Sequence, residues 1–139
     1  MSLHRIILFY LLMISILSCK ETREKTIEQS VEDFHTQLMS LHDSTMNLYG
    51  ICGNLAEQLK KLGKTAADTV RTNKTDSIRT ELNASNEYMM DWMNAYQEPE
   101  KKDSAALKYF KAQIDLLSQL AVHQKQAIEQ AQLILNSNK

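Results

Sequence analysis

Glycine and proline are scarce in this chain of 139 residues, which contains three glycines and one proline. A parallel sheet with crossover helices, or a β-sandwich, needs turn residues at many places along the sequence. Neither architecture is therefore expected, and the length suits one domain rather than two. The scarcity favours long helices that are joined by few turns.

An excess of charge of one sign is also missing, since 16 lysine and arginine residues are balanced by 17 aspartate and glutamate residues. The net charge of -1 indicates neither a basic nucleic-acid footprint nor an acidic tail. The sequence contains no glycine-rich phosphate loop and no HExxH, CxxC or GxSxG motif. Carboxylates such as Glu28, Glu32 and Asp33 are expected on solvated helix faces, with nothing to pair them across a cleft. We therefore expect a protein without enzymatic activity.

An apolar run from Ile6 to Leu17, interrupted by Ser15, follows a weakly basic start. It is shorter than the roughly 20 residues that span a bilayer, and it fits the core of a secretory signal peptide. The segment Ile16–Cys19 at its end resembles the lipobox of bacterial lipoproteins. The resemblance implies cleavage before Cys19 and lipidation of Cys19. An ordinary signal peptide with a chance cysteine and an N-terminal anchor helix are the alternatives.

This interpretation divides the chain into a cleaved signal peptide at residues 1–18, a lipidated cysteine with a tether at residues 19–25, and a helical domain at residues 26–139. Acyl chains on Cys19 would hold the protein on a membrane, because each buried methylene contributes about 0.8 kcal/mol. We expect a lipid-anchored protein of the bacterial cell envelope, at the outer membrane on its periplasmic or surface face. Cys52 then has no partner for an intramolecular disulfide, and we expect it to be a small buried hydrophobic residue.

Apolar residues recur at intervals of three and four from Ile27 to Leu62, with Thr45 as the one polar member of the series. This heptad pattern predicts a first helix over Glu21–Leu62, which Gly63 ends as a C-cap. Its apolar stripe is a candidate surface for self-association or for an envelope protein partner. No nucleic-acid partner is expected.

A second helix is predicted to begin at Thr65 or Thr75 and to end before Pro99. A third helix begins near Asp103 or Ser104 and carries a wide apolar stripe that includes Leu116, which predicts contact with two partner helices. Short connections make sequential helices antiparallel neighbours. The expected fold is all-α: an elongated antiparallel three-helix bundle with coiled-coil-like packing, preceded by a lipoprotein signal peptide.

Histidine and methionine form the one constellation that could carry chemistry. The first helix places four such residues on one stripe, at spacings of four, three and four: His35, Met39, His42 and Met46. The second helix carries Met89, Met90, Trp92 and Met93 within about one turn. Matching levels across the first turn places His42 opposite a residue between 89 and 96, so both groups are expected in one layer of the bundle.

The chemistry of this layer has three interpretations. Methionine fills irregular gaps in cores, so the layer can be plain packing with no cofactor. Thioether and imidazole groups also suit Cu(I), and a His/Met pair across a bundle can ligate haem iron. For the Cu(I) or haem alternative, the candidate ligands are His42, Met46, Met89 and Met93. A second tier consists of His35, Met39, Met90, Trp92 and Asp43.

Two short segments also resemble a group of small helical lipoproteins of the Bacteroidota. His42-Asp43-Ser44-Thr45-Met46 matches their HDxxM segment, and Met89-Met90-Asp91-Trp92-Met93 matches their MMxWM segment. Proteins of this group sometimes carry the automatic name viral A-type inclusion protein, because coiled-coil patterning attracts chance matches. The resemblance implies a long polar-apolar third helix and transfers no activity. It marks the histidine, aspartate, methionine and tryptophan of the two segments as residues of interest.

Gly50 and Gly53 lie inside the first predicted helix, where each costs about 1 kcal/mol relative to alanine. Close approach of a second backbone, a bend around a site or a tolerated kink would each account for them. For the whole chain, we expect a membrane-anchored envelope lipoprotein that acts as a non-enzymatic helical binding or structural module. The alternative is the soft-metal or haem-binding protein described above.

Overall fold

A computed structural model of the chain describes the backbone of residues 3–65, 69–100 and 104–137. It describes the side chains of residues 26–63, 72–100 and 104–137. The helices are α1 at Leu3–Thr65, α2 at Thr69–Ala95 and α3 at Ser104–Asn136. Each helix packs against the other two, and the described ranges contain no strand. The predicted all-α three-helix bundle is confirmed.

Contacts between α1 and α2 show that these helices run antiparallel. His42 of α1 lies over Trp92 of α2, with ring centroids 5.9 Å apart. Seven residues further along α1, the Tyr49 carbonyl accepts a hydrogen bond of 3.2 Å from the Asn86 side chain, which lies earlier on α2. Level matching from the sequence places His42 opposite residues 89 to 96, and this prediction is confirmed.

Contacts between α2 and α3 show that these two helices are also antiparallel. The Trp92 indole Nε1 donates a 2.7 Å hydrogen bond to Oε1 of Gln113. The Tyr96 and Tyr109 rings lie 6.1 Å apart, later on α2 and earlier on α3. Helix α3 is therefore antiparallel to α2 and parallel to α1, as expected for an up-down-up bundle with short connections.

The boundaries around the first turn differ from the prediction. Helix α1 continues past Gly63 to Thr65, and no described glycine has a positive φ angle, so Gly63 is not a C-cap. Thr75 is not an N-cap either, because α2 begins at Thr69. Thr75, Ile78 and Leu82 are spaced by three and four and are all buried. Their burial against α1 extends α2 into the polar, threonine-rich stretch.

Helix α2 ends where the sequence predicts. Pro99 disfavours helical geometry at the residue before it. The Tyr96 amide still donates to the Trp92 carbonyl at 2.9 Å, but the Gln97 amide donates to the Tyr109 hydroxyl at 3.1 Å. A side chain of α3 thus accepts the hydrogen bond from the second amide beyond the end of α2, which ties the second turn to the bundle.

The core consists of two apolar clusters, one above the other along the bundle. The upper cluster lies next to the α1–α2 turn and includes Cys52, Leu59, Leu82 and Ala131. The lower cluster lies next to the α2–α3 turn. It includes Val31, Leu38, Met89, Trp92, Phe110 and Leu117. Full burial of a large apolar side chain contributes about 1.5–3 kcal/mol, so both clusters stabilise the fold substantially.

The apolar stripe of α1 is used within the chain itself. Val31, Leu38 and Leu59 are fully buried, and Ile27 and Leu62 at its ends are partly buried against the clusters. Thr45 is buried too, and its hydroxyl donates to the Leu41 and His42 carbonyls of its own helix at 3.0 and 2.8 Å. Self-association or binding of an envelope protein through this stripe stays a prediction.

The glycines of α1 do not mark close approach of a second backbone. A Cβ atom added to Gly50 would meet nothing within 4 Å, and one added to Gly53 would lie 3.6 Å from the Asn86 side-chain nitrogen. That distance is an ordinary van der Waals contact. What approaches Gly53 is the side chain that donates to the Tyr49 carbonyl, so close approach of a second backbone does not account for this glycine.

Gly50→Ala and Gly53→Ala are each expected to raise the free energy of unfolding by about 0.5–1 kcal/mol. Glycine loses more conformational freedom than alanine when a helix forms, and both positions have room for a methyl group. The midpoint of urea unfolding, followed by circular dichroism at unchanged m-value, measures the gain. Ser40→Ala is a matched control with a smaller expected gain. A loss of stability at Gly53 would show that Asn86 needs the space.

The predicted lipobox and the predicted lipidation of Cys19 lie outside the described side chains. The backbone of α1 passes through Cys19 as helix, but the side chains of residues 1–25 are not described. The predicted start of the third helix at Asp103 likewise lies outside the described residues. Among the residues that the structure describes, no helix is long and apolar enough to cross a membrane.

Candidate functional site

The histidine and methionine residues singled out from the sequence gather in the lower half of the bundle. Met89 and Trp92 belong to the buried core of the lower cluster, and Met39, Met46 and Met93 pack against it. They meet there because the spacing on α1 and the antiparallel pairing with α2 bring both groups to one level. The prediction of a shared layer is confirmed for these residues, and Met90 lies at its outer edge, 41% exposed.

His42 is held in place from two sides. Its ring lies over Trp92 at 5.9 Å, and its Nδ1 atom is 3.1 Å from Oδ1 of the neighbouring Asp43. Asp43 is exposed, so the pair stands at the surface of the layer. The contacts orient the imidazole without burying it. This is the hydrogen-bonded histidine at the edge of an apolar stripe that plain packing predicts.

A row of aromatic rings runs from His42 to His35 across all three helices. Trp92 and Tyr96 of α2 lie 5.2 Å apart, and Tyr109 and Phe110 of α3 lie 5.8 Å apart. The row ends where Phe110 meets His35 of α1 edge-on at 5.5 Å. Such pairs stabilise by about 0.5–1.5 kcal/mol beyond their buried area. The row therefore joins the three helices near the second turn.

Tyr96 lies in the middle of this row. Burial raises the pKa of its phenol to about 12, and the charges of Glu98 and Tyr109 act in the same direction. Its hydroxyl oxygen is buried and has no hydrogen-bond partner among the described residues. The phenol stays protonated at neutral pH, so Tyr96 is suited to packing rather than to proton transfer.

His35 connects α1 to the segment after α2. Its Nε2 atom lies 3.7 Å from Oε1 of Glu98, and its Nδ1 atom lies 4.0 Å from Oε1 of Glu32. Both carboxylates are about half exposed, at 50% and 49%. Contacts at this exposure contribute little to stability, and of the two it is the contact with Glu98 that joins His35 to the second turn.

The methionines of the candidate metal set differ in accessibility. Met89 is fully buried in the lower cluster, whereas Met46 and Met93 are partly buried beside it. The described residues contain no group of three or more histidine, cysteine, aspartate and glutamate side chains that could hold a metal ion. Thioether sulfur is not among those ligand types. Binding of Cu(I) or haem by His42, Met46, Met89 and Met93 therefore stays a prediction.

Cys52 is a buried apolar residue, as predicted. It has no disulfide partner among the described residues and is fully buried in the upper cluster. Burial raises the pKa of its thiol to about 11, and a backbone hydrogen bond opposes that rise in part. The thiolate is the reactive form, so this cysteine has a packing role.

A groove between α2 and α3 is one of several concave surfaces on the described part of the bundle. We call it the α2–α3 groove, and it encloses about 390 Å³. Its floor has small residues, among them Ala84, Ser85 and Ala127, and its apolar walls include Tyr88 and Leu116. Tyr88 is 46% exposed and Leu116 is 38% exposed, so the groove presents apolar area to solvent.

The sequence did not reveal this groove. The apolar pattern places Leu116 in the buried stripe of the third helix, but it stands at the edge where α2 and α3 separate. Tyr88 lies outside the apolar stripe of α2, and an aromatic residue at such a position was the sequence feature that could have indicated the groove. A large exposed aromatic beside small residues marks an interaction surface more often than core.

Comparisons with known proteins add no assignment. No protein-family model, no curated protein and no solved structure matches the chain. The resemblance to Bacteroidota lipoproteins therefore stays a prediction from the HDxxM and MMxWM segments, and the function has to be argued from the residues themselves.

Proposed function

We propose that the protein is a lipid-anchored, non-enzymatic binding module of a bacterial envelope, which presents the α2–α3 groove to a partner. The observation that carries this proposal is the exposed apolar lining of that groove, with Tyr88 and Leu116 on its walls. The lipobox at Ile16–Cys19 supports the membrane anchor. The packing roles of His42, Tyr96 and Cys52 support a function without catalysis.

The length of α1 indicates where the groove would lie relative to the membrane. The helical backbone runs without interruption from Leu3 to Thr65. Tyr49 contacts Asn86 at the level of the groove, and it follows Cys19 by 30 residues, or about 45 Å of helix. An anchor at Cys19 would thus hold the groove well away from the lipid surface, with the second turn of the bundle nearest the membrane.

Lipid labelling of the full chain in a bacterial host tests the anchor. Cells are fed an alkyne fatty acid, and we expect the wild-type chain to be labelled and to partition with membranes. Cys19→Ser should abolish both properties, because it removes the acceptor thiol. Cys52→Ser is the matched control and should leave them unchanged. Equal labelling of wild type and Cys19→Ser would refute lipidation at Cys19.

Photo-crosslinking in intact cells tests the binding surface. A photo-reactive amino acid at position 84, in the groove, should give a discrete adduct. The same amino acid at position 47, on the exposed face of α1, should not. Loss of the adduct when Leu116 is also changed to lysine would support the groove as its origin. Identical adducts from positions 84 and 47 would count against the groove.

A further inference from the structure

We infer that the partner of the α2–α3 groove is a second copy of the chain, which packs its own groove against the first in the antiparallel direction. This inference rests on the proposed function and identifies the partner. Its basis is that side-chain size varies along the groove and that charge varies along the bundle. Reversing one of the two copies brings unlike ends together in both respects.

The large and the small side chains of the groove lie towards opposite ends. Tyr88 and Leu116 lie closer to the second turn, and both are exposed. Ala84 and Ala127 lie closer to the first turn. In an antiparallel pair, the large side chains of each copy would therefore face the alanines of the other. Such shape complementarity lets the core of an interface pack as densely as a protein interior.

The groove itself has charged or titratable side chains of both signs. Glu81 is the carboxylate among its lining residues, and His123 lies on the opposite wall. Lys125 is exposed on α3, two residues after His123. The lining therefore has no excess of charge of one sign, and it does not select a strongly acidic or strongly basic partner.

Charge is distributed unevenly along the bundle as a whole. The middle of the groove divides the described side chains into two halves. The lower half comprises residues 26–50, 85–100 and 104–121, and the upper half comprises residues 51–63, 72–84 and 122–137. The lower half contains nine carboxylates and two lysines, whereas the upper half contains four carboxylates and five lysine or arginine residues. The half next to the second turn is thus strongly acidic, and the other half is not.

Size and charge both favour the antiparallel direction over the parallel one. A parallel pair would place two acidic halves side by side, and like charges across an interface oppose binding. It would also bring the large side chains of both copies to one end and the alanines of both to the other. An antiparallel pair places each acidic half beside the half that carries five cations. The two copies then use the same surface, as a two-fold interface requires.

Antiparallel packing would place the two lipid anchors at opposite ends of the pair. Cys19 lies about 45 Å of helix from the level of the groove, so the two Cys19 residues would be about 90 Å apart. The pair would then join two facing lipid surfaces. Phosphatidylcholine vesicles that carry the lipidated wild-type chain should cluster, and vesicles that carry Ala84→Leu should not. Absence of clustering by a chain that still pairs would overturn the placement on facing surfaces.

Cross-linking of the full chain in detergent micelles tests the pair. The chain carries Cys19→Ser, so lipidation plays no part and the buried Cys52 is the remaining native cysteine. Single cysteines are introduced at two exposed positions of α2, by Ser77→Cys near the first turn and by Ala95→Cys near the second. Differently tagged copies of the two variants are mixed and treated with a short bis-maleimide.

The ratio of the adducts reports the direction of packing. The two positions are about 27 Å of helix apart, so in an antiparallel pair each lies near the other and far from its own counterpart. We expect adducts between positions 77 and 95 to exceed adducts of either position with itself at least about fivefold at low salt. The excess should be smaller at high salt, because salt screens the charges of the two halves.

Three variants assign the pairing to the groove, with the dimer dissociation constant measured by sedimentation in density-matched micelles. Ala84→Leu fills the small end of the groove, and Tyr88→Ala removes a large side chain from the other end. Each should weaken pairing at least about tenfold, since each removes the fit between the two ends. Asn47→Leu is the matched control on the exposed face of α1 and should pair like wild type.

Each contrary outcome has a distinct meaning. Adducts mainly between like positions would overturn the antiparallel direction. Absence of pairing, or pairing that Ala84→Leu and Tyr88→Ala leave unchanged, would overturn the second copy as the partner. A photo-crosslinked adduct at position 84 that contains another protein would do the same. All of these outcomes are independent of Cys19, so they are distinguishable from a failure of the lipid anchor.

Discussion

Phe110→Ala is expected to lower the free energy of unfolding by about 3–5 kcal/mol. Phe110 is fully buried and is the largest such side chain of the described residues. It contacts His35 of α1 and Tyr109 of α3 and lies in the lower cluster with Trp92 of α2. Its removal would leave a cavity where the three helices meet, and the loss should appear as a lower urea midpoint.

Tyr88→Ala is the matched control, because it also truncates an aromatic residue in the middle of a helix. Tyr88 is 46% exposed, so its removal creates no enclosed cavity, and we expect a change below about 1 kcal/mol. Similar losses for the two variants would contradict the described packing of the lower cluster. The comparison separates burial from the loss of an aromatic ring as such.

The core residues were predictable because the spacing of apolar residues within a single helix decides which of its faces is buried. Val31, Leu38 and Leu59 are spaced by multiples of seven, so they face one side of α1 whatever packs against them. All three are fully buried. The level of His42 opposite Trp92 was predictable for a related reason. A short connection between antiparallel helices fixes which residues lie opposite each other, to within about two helical turns.

The boundaries and the groove were not predictable because they depend on pairs of helices. The sequence around Gly63 is typical of a helix C-cap. In the structure, α2 packs alongside this glycine, since a methyl group added to it would lie 4.0 Å from Thr75, and α1 continues to Thr65. Leu116 extends the apolar stripe of α3, yet its exposure depends on the separation of α2 and α3. Periodicity within one helix contains no information on that separation.

Gln124→Met is expected to raise the free energy of unfolding by about 1–3 kcal/mol. Gln124 is fully buried on α3, and neither its Nε2 nor its Oε1 atom has a hydrogen-bond partner among the described residues. An unpaired buried amide carries the full cost of its desolvation. Methionine is also unbranched and flexible, so it can follow the same path through the core. A higher urea midpoint at unchanged m-value measures the gain.

Gln132→Met is the matched control, since Gln132 is exposed on the same helix and should change stability by less than about 0.5 kcal/mol. A loss of stability in Gln124→Met would show that the amide has hydrogen-bond partners in solution. A gain would raise the question of why the chain carries a glutamine there. Leu117 of the lower cluster precedes Gln124 by seven residues, and Ala131 of the upper cluster follows it by seven. The three positions lie on one stripe of α3, so methionine at position 124 would make that stripe apolar without a break. Hydrogen exchange should then show stronger protection of α3 in Gln124→Met, in line with its greater stability.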